Sequence, residues 1–474
     1  MTTPRDDSLP RGRIRRTMPL AGFTARAAGG RMVAALREKT GDAGAVQRFH
    51  ERTAERYTEL LGHSKGVLMK AGQVLSMVDA SSIGNGGYSP YQKALSRLQA
   101  DAPPMDRALA EEIVHADLGR PVGEVFAEFT AEPMAAASIG QVHRATMHDG
   151  RQVAVKVQYP GVAEAIRNDL ANTELLATFV RFAASASGTT MQPDLRQMTR
   201  EIAARIAEEI DYRHEAANIT AFSELYRDHP FIRVPEVVYE ASGDRVLTMT
   251  YLDGMDWAAA QQADQDLKNT WTEVIWRFAG GSYRHANLFN ADPHPGNYRF
   301  GPDGQVGFVD FGCVKVLPER QRRRFVAMVR AAIDGRKHDM HDLMAELGYF
   351  AGSSTLSADE AYQWMAEMLY EALVPQPVTF TQETSRRAIQ TLIDLRSPDH
   401  PVRRLSAPDD LVFFPRLNLI LNPICAMLGA TIYARSIADD MDGVAEPITP
   451  LGKQHHAWVR QRGLPYGLEP HDHP

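Results

Sequence analysis

This chain of 474 residues contains few cysteines, no long uncharged apolar run and no large excess of one charge. Its two cysteines, Cys313 and Cys425, cannot form a disulfide framework, and they suit a reducing compartment such as the cytoplasm. A net charge of -7 argues against general binding to nucleic acid, so we expect no nucleic-acid partner. The sequence shows no internal repeat and no low-complexity tract, and nothing in it indicates the oligomeric state.

No stretch of the sequence has the composition of a membrane-spanning helix. The most apolar segment, at 411–433, contains Arg416 and the two prolines Pro415 and Pro423. A spanning helix needs about 20 nearly uncharged residues. We therefore expect a buried or surface-docked helical region here, with membrane association as the alternative.

The first 40 residues are basic and contain no continuous apolar core, so they do not form a secretory signal. We expect a disordered arm that leads into a helix. The alternative is a weak amphipathic helix at 19–39 that contacts anionic lipid. The expected location is therefore cytoplasmic, with peripheral contact to an anionic membrane as the alternative.

Changes in hydrophobic pattern predict an α+β fold. Helical periodicity begins near residue 31, strand alternation begins near Val125, and helical pattern returns after Gly254. The expected divisions are a basic disordered arm (1–30), a helical extension (31–118), a small mixed lobe (119–253), a largely helical lobe (254–450) and a flexible tail (451–474). The tail contains four histidines that form no convincing ligand group, and we expect them to be solvated: His455, His456, His471 and His473.

The strongest chemical signal is the segment ANLFNADPHPGNYRFGPDGQVGFVDFG at 286–312. Asp292 is followed five residues later by Asn297, and a short hairpin then leads to Asp310. This layout is typical of a kinase fold that binds ATP and Mg²⁺. Asp292 would meet the phosphoryl acceptor, while Asn297 and Asp310 would hold the metal. No His-Arg pair precedes Asp292, so the sequence does not indicate the acceptor.

Lys156 lies within the apolar strand pattern VAVKV. A lysine at such a position is costly unless its ammonium group has a partner. In a kinase small lobe this lysine reaches the phosphates and pairs with a glutamate on a helix. The order of Lys156, Asp292 and Asp310 along the chain matches that arrangement. Glu215, in the helical pattern at 208–218, is the predicted partner.

The segment PMAAASIGQV at 133–142 occupies the position of a glycine-rich phosphate loop but contains a single glycine. Alanine keeps such a loop small and disfavours positive φ, so we expect a stiffer loop. The alternative is ordinary packing. The predicted nucleotide contacts, besides Lys156, are Ala135, Ala136, Ala137 and Ser138.

Two further motifs carry charged groups that the nucleotide site does not use. Glu209 and Asp211 lie two residues apart, so they cannot share one helical face, and Glu209 needs a separate cation. The segment KAGQ, from Lys70 to Gln73, has a glycine inside a helical pattern at a cost of about 1 kcal/mol against alanine. This glycine indicates either a close backbone approach or ordinary helix packing.

Together these motifs resemble those of the ABC1/UbiB family of atypical kinases, also called ADCK or AarF proteins. The resemblance covers roughly residues 45 to 350 and implies a bilobal, protein-kinase-like fold. Two features depart from the family pattern: Asn290 stands where a histidine is frequent, and no paired C-terminal transmembrane helices are evident. The motifs that carry the resemblance are KAGQ (70–73), PMAAASIGQVHRA (133–145), VAVKVQYPG (153–161), EID (209–211), ADPHPGN (291–297) and DFG (310–312).

The resemblance also implies a restricted active site. Lys70 and Gln73 would lie across it, with Lys70 paired to Glu209 and with Asp211 completing a gating motif. Such a site implies hydrolysis of ATP, or phosphorylation of a small molecule or lipid, with a prenyl lipid or isoprenoid-quinone precursor as the partner. The alternatives are a conventional protein kinase and a nucleotide-switched scaffold that binds lipid. The sequence after Gly312 lacks Ala-Pro-Glu, which weighs against the first alternative.

Overall fold

The structure of the chain is a computed structural model. It describes residues 105–170 apart from Ser138, then 210–350, 356–393, 401–405 and 414–470, together with five isolated positions before residue 53. The predicted basic arm and most of the helical extension lie outside these residues. So do four of the predicted site residues, namely Lys70, Gln73, Ser138 and Glu209.

Contacts divide the chain into two compact units. The first comprises residues 1–150, 155–211 and 243–246, and the second comprises 151–154, 212–242 and 247–474. The helix Tyr212–Leu225 belongs to the second unit, whereas the sequence pattern assigns it to the small lobe. The reason is aromatic packing: the ring of Phe222 lies 5.6 Å from that of Phe278 and 4.8 Å from that of Phe311, and both are in the second unit.

The first described elements are α1 (Arg107–Leu118), α2 (Val122–Val125), β1 (Phe126–Phe129), β2 (Ala135–Ala136), β3 (Gly140–Met147), β4 (Gln152–Gln158) and α3 (Val162–Leu170). Strands β1 and β2 both pair antiparallel with β3. The alternation of buried and more exposed side chains along β3 explains its place in a sheet with one buried face.

The following elements are α4 (Tyr212–Leu225), β5 (Ile232–Arg233), β6 (Val246–Thr250), α5 (Trp257–Gln261), α6 (Gln265–Ala286), β7 (Leu288–Asn290), β8 (Tyr298–Phe300), β9 (Val306–Phe308), β10 (Val314–Val316), α7 (Glu319–Ile333), α8 (Lys337–Leu347), α9 (Ala358–Met368), α10 (Tyr370–Leu373), β11 (Val378–Thr379), α11 (Gln382–Ile393), α12 (Phe414–Leu428), β12 (Thr431–Ile432), α13 (Ala434–Asp442) and α14 (Pro450–Arg462). The larger sheet has the order β1-β3-β4-β6, with β2 on β3. Strand β9 lies between β5 and β8, and β7 pairs with β10.

Helix α6 is the central element of the second unit. It is 22 residues long and buries side chains around most of its circumference. Phe278 stacks on Phe308 of β9 with ring centroids 3.6 Å apart, and Trp271 packs against Phe300 of β8. The core of the second unit therefore holds α6 directly against the β8–β9 hairpin.

Buried ion pairs fix α6 to α13. Arg277 is 0% exposed and donates from both terminal nitrogens to the carboxylate of Asp440, at 2.8 Å each. Two turns further along, Arg284 Nε donates to Asp442 Oδ1 at 2.6 Å. Arg330 of α7 donates to Asp439 Oδ1 at 2.6 Å and joins the same acidic stretch of α13. Charges this deeply buried are tolerated because each has a close partner of opposite sign.

The C-terminal segment is not the flexible tail expected from the sequence. Residues Pro450–Arg462 form α14, which Thr449 caps by accepting the Gly452 N–H. Trp458 is 3% exposed, and its ring stacks parallel to that of Tyr226. The prediction was wrong for these residues because the apolar residues that dock the helix are few and widely spaced.

Two of the tail histidines are described, and His455 is buried rather than solvated, with 2% exposed. It lies between His229 and His285. His229 Nδ1 accepts two backbone N–H groups, so its Nε2 carries the proton and donates to His455 Nδ1 at 3.0 Å. His455 Nε2 then donates to His285 Nε2 at 3.1 Å, and His285 Nδ1 donates to the Pro465 carbonyl at 2.8 Å. The network assigns one neutral tautomer to each imidazole.

The expected burial of the most apolar segment is confirmed for its described part. It forms α12, in which Leu421, Ile424 and Cys425 are buried. Among the helices that the structure describes, none combines the length and the apolar composition needed to cross a membrane.

The histidine chain predicts loss of stability in mild acid. Burial lowers the pKa of His229 and of His455 well below the ordinary value of 6.5. The unfolded chain therefore takes up protons near pH 6.5 that the folded chain does not, and the free energy of unfolding falls as the pH falls. From pH 7.5 to 5.5 we expect a loss of about 1.4 kcal/mol per histidine, measured by urea unfolding.

The variant His455→Gln should show a smaller loss of unfolding free energy over the same pH range. His338→Gln changes an exposed residue and serves as the matched control. An equal pH dependence in the wild type and in His455→Gln would contradict a neutral, buried His455.

Candidate nucleotide and metal site

Two short antiparallel pairs hold the segment that carries Asp292, Asn297 and Asp310. Asn287, the residue that follows α6, adopts the left-handed conformation, which asparagine tolerates. β7 then pairs with β10, and β8 pairs with β9 through the turn GPDG at 301–304. Asp292 therefore follows β7 by two residues, and Asp310 follows β9 by two residues.

The three predicted residues come together. Asp292, Asn297 and Asp310 line one small cavity beneath the loop, against the apolar wall formed by Phe278 and Phe308. The Val309 N–H donates to the Asn297 carbonyl at 3.0 Å, and Asn297 Nδ2 reaches the Asp292 carbonyl at 3.5 Å. A backbone hydrogen bond therefore joins the Asn297 segment to the Asp310 segment, and the Asn297 side chain reaches back to the start of its own loop.

Asn290 positions the two segments that carry Asp292 and Asp310. In the sequence it stands out only as a departure from the family pattern. Its Oδ1 accepts the Asp292 N–H at 3.0 Å, and its Nδ2 donates to the Asp310 carbonyl at 3.1 Å. One amide therefore joins the segment of the predicted catalytic aspartate to the segment of the predicted metal ligand. The signal that could have found it is its spacing, because a short polar side chain two residues before an aspartate often caps the aspartate's backbone.

Phe311 anchors the segment that contains Asp310, the second predicted metal ligand. Its side chain is 0% exposed and packs against Phe222 of α4. Asn218 Nδ2, also on α4, donates to the Phe311 carbonyl at 2.9 Å. The Gly312 N–H donates to Asp310 Oδ1 at 3.1 Å, which orients the carboxylate from its own turn. Helix α4 therefore fixes the backbone that directly follows Asp310.

The donor set fits a magnesium ion. Carboxylate and amide oxygens are hard ligands, and Mg²⁺ is commonly bound by one or two carboxylates together with substrate phosphates. Asn297 Nδ2 points to the Asp292 carbonyl, so the amide oxygen is the atom that would coordinate a metal. In the described part of the chain, no group of three or more His, Cys, Asp or Glu side chains is arranged to hold a metal. Asn297 and Asp310 would therefore share the ion with phosphate oxygens.

Tyr298 lies under this site and keeps it apolar on one side. Its hydroxyl donates to the Pro293 carbonyl at 2.9 Å, and the residue is 3% exposed. Burial raises the pKa of Tyr298 well above 10, and the charge of Asp292 raises it further. The tyrosine therefore stays neutral and serves to hold the loop that follows Asp292.

In the first unit, the structure confirms that Lys156 is buried in a strand. It is 8% exposed on β4, between Val155 and Val157, which are fully buried. Glu215 in the second unit is 5% exposed on α4, and its pairing with Lys156 stays a prediction. Asp211 is exposed and directly precedes α4, so the helix begins later than the sequence pattern suggests.

The alanine-rich segment forms a tight hairpin. Ala135 and Ala136 make up β2, which pairs with β3, and the Ala137 N–H donates to the Gly140 carbonyl at 2.9 Å. A Cβ atom on Gly140 would lie 2.2 Å from the Val157 carbonyl oxygen, so this position requires glycine. The backbone of the hairpin therefore packs directly on β4 beside Lys156, as expected for a stiff loop. Contact with nucleotide stays a prediction.

Gln141 and His143 have structural roles that the sequence analysis did not find. Gln141 is 1% exposed, accepts the Met105 N–H at 2.8 Å and donates to the Met105 carbonyl at 3.2 Å. His143 Nδ1 lies 2.9 Å from the Thr130 carbonyl, which leaves Nε2 to accept from Gln141. Burial lowers the pKa of His143, in keeping with a neutral ring. These bonds join the start of α1 to the sheet.

Removal of the Asn290 amide should loosen the site. In Asn290→Ala, the Asp292 N–H and the Asp310 carbonyl both lose their partner, and we expect the free energy of unfolding to fall by about 1–2 kcal/mol. Asn290→Asp retains the acceptor but loses the donor, so it should also be destabilised. Urea unfolding measures both. Gln262→Ala, at an exposed position, is the control, and a change in Asn290→Ala no larger than in this control would contradict the positioning role.

Comparisons with known proteins identify related chains. The family model described as the ABC1 atypical kinase-like domain matches residues 97–344, slightly more than half of the chain. Atypical kinase COQ8B of Rattus norvegicus, a mitochondrial protein, is 29% identical over 471 residues, which are 97% of this chain and 84% of the relative. Atypical kinase COQ8 of Saccharomyces cerevisiae, also mitochondrial, is 28% identical over 390 residues, 81% of this chain and 75% of the relative.

A solved structure has a similar fold. The Rv3197–erythromycin complex of Mycobacterium tuberculosis superposes with a TM-score of 0.59 at 28% sequence identity, covering 89% of this chain and 98% of that chain. The α+β, protein-kinase-like fold expected from the sequence is thereby confirmed. With a family model that spans residues 97–344, this chain belongs to the ABC1 family of atypical kinase-like proteins.

Proposed function

We propose that this protein is a Mg²⁺-dependent ATPase or kinase that acts on, or close to, a prenyl lipid or isoprenoid-quinone precursor. One observation carries the catalytic part of the proposal. Asp292, Asn297 and Asp310 line a single cavity, and Asn290 joins their two segments. Membership of the ABC1 family supports a kinase-like enzyme.

In the proposed site, Asn297 and Asp310 hold the metal, and Lys156 contacts the phosphates of ATP. The metal, when bound, neutralises charge that develops on the phosphates. Asp292 orients the attacking hydroxyl or water and accepts its proton. The alanine-rich hairpin at 135–138 lies over the phosphates, and Glu215 orients Lys156. Fixed positions matter more than covalent chemistry in this reaction, because phosphoryl transfer is catalysed mainly by alignment and electrostatics.

The short connection after Gly312 supports an acceptor other than a peptide. Strand β10 begins at Val314, and α7 begins at Glu319. A conventional protein kinase places a long activation segment at this point, ending in Ala-Pro-Glu. Lys70, Gln73, Glu209 and Asp211 complete the proposal as gating residues that restrict access to the site.

The lipid part of the proposal rests on the resemblance of the motifs to those of the ABC1/UbiB kinases. A lipid substrate would be met at a membrane surface, so we include peripheral contact with anionic lipid. The basic residues before position 40 would supply the attraction.

Mg²⁺-dependent hydrolysis of ATP by the purified full-length chain tests the catalytic proposal. Asp310→Asn should reduce the rate by at least about a hundredfold, because it removes a charged metal ligand. Asp303→Asn is the matched control, since Asp303 is an exposed residue of the β8–β9 turn. Equal rates in the wild type and in Asp310→Asn would contradict the assignment of Asp310 as a metal ligand. Robust phosphorylation of generic peptides would favour a conventional protein kinase instead.

Thermal stabilisation by Mg-ATP tests nucleotide binding separately from turnover. Lys156→Ala should lose most of the rise in melting temperature that Mg-ATP gives to the wild type, because the phosphates lose a buried cation. An undiminished rise would contradict the phosphate-site assignment. A wild type that is stabilised by Mg-ATP but does not hydrolyse it, with or without anionic liposomes, would favour the nucleotide-switched scaffold.

A further inference from the structure

A second cavity, of about 100 Å³, lies on an adjacent face of α6. Trp276, Gly280 and Tyr283 of α6 line it, at positions four and three residues apart, while Ile275 and Phe278 face the cavity beneath Asp292. Its remaining walls come from α7, α9, α10, α12 and α13. This cavity takes no part in the proposed phosphoryl transfer.

The walls of the second cavity are apolar and adaptable. Met328, Met365, Met368 and Met441 contribute four of the side chains, together with Phe325 and further aliphatic residues. Methionine is unbranched and polarisable, so cavities lined by it can adjust to ligands of different shape. For comparison, an engineered cavity of about 150 Å³ binds benzene. The cavity in this protein is smaller, so it suits a five-membered ring or a short branched apolar group.

One polar side chain in this wall has an oxygen without a hydrogen-bond partner among the described residues. Glu371 of α10 is 1% exposed, and its Oε2 makes no hydrogen bond to any described residue. An unpaired buried polar atom costs about 1–3 kcal/mol, so a complementary partner would be strongly favoured. Arg284 also lines the cavity, but its guanidinium is engaged by Asp442 at 2.6 Å.

The chemistry of Glu371 fixes the kind of partner. Burial raises its pKa to about 8, so the acid is mostly neutral at pH 7 and carries an O–H donor. The titratable groups around it are Arg284 and Tyr283 of α6, Tyr349, Tyr370 and Cys425. Burial raises the pKa of each of these tyrosines and of the Cys425 thiol, so they stay neutral. The wall therefore favours an uncharged ligand that accepts a hydrogen bond.

We propose that this cavity binds a small, uncharged, apolar molecule whose carbonyl oxygen accepts a hydrogen bond from the Glu371 carboxyl group. The apolar body of the ligand contacts the methionine and aromatic wall. The site is separate from the proposed ATP site, so its occupation requires neither nucleotide nor metal.

Binding of two nearly isosteric probes to the full-length chain, without nucleotide, tests this proposal. Cyclopentanone has a carbonyl oxygen where methylenecyclopentane has a methylene group. At pH 6.5 we expect cyclopentanone to bind about fivefold more tightly, since one added hydrogen bond contributes about 1 kcal/mol. At pH 9.5 the preference should vanish, because the ionised carboxylate has no proton to donate. Ligand-observed NMR titration measures both affinities.

Variants of Glu371 separate the hydrogen bond from general apolar binding. Glu371→Leu should lose the preference for the ketone at every pH while still binding methylenecyclopentane. Glu371→Gln retains an N–H donor that does not titrate, so its preference should persist at pH 9.5. Glu367→Gln alters a surface carboxylate on α9 that is paired with Arg387, and it should behave as the wild type. Ala438→Leu partly fills the cavity and should weaken both probes.

Two results would overturn the proposal. One is the absence of binding of either probe to the wild type at millimolar concentration. The other is an unchanged ketone preference in Glu371→Leu, which would place the hydrogen bond elsewhere. The helical circular dichroism of each variant shows whether it is folded. If Ala438→Leu does not fold, the comparison of wild type, Glu371→Leu and Glu371→Gln still decides the question.

Discussion

The buried pairing of Arg277 with Asp440 is the constraint on which the second unit depends. A guanidinium that is 0% exposed is tolerable solely because Asp440 and Glu273 both contact it. Loss of one partner from such a buried pair costs about 3–5 kcal/mol, since the other charge is left without compensation. The pair therefore defines one position of α13 against α6, and the docking of Thr449, which donates to Glu273 at 2.5 Å, follows from it.

The fixed position of α6 also fixes the start of the candidate site, because the two are adjacent along the chain. Helix α6 ends at Ala286, and only β7 separates it from the segment of Asp292. A helix that cannot shift gives the loop a fixed starting point, and Asn290 then fixes its end against Asp310. An enzyme that works by alignment benefits from such a rigid support, because small misplacements of reacting groups are costly in rate.

The sequence predicted those parts of the site that lie close together along the chain. Asp292, Asn297 and Asp310 are within 19 residues, and their spacing and the hairpin between them predicted that they come together. The burial of Lys156 followed from strand alternation. The dual hydrogen bonding of Asn290 was out of reach, because it depends on the distance between two loops. His455 was misjudged for the same reason: its partners lie 170 and 226 residues away in sequence.

The three buried imidazoles behave as one unit. Each ring holds its proton on the nitrogen that its neighbour leaves available, so the protons point in one direction from His229 to Pro465. To turn over a single ring would place two donors or two acceptors face to face, unless every ring turned with it. Because the three rings share one hydrogen-bonded network, the effect of removing two of them is not the sum of the two single effects.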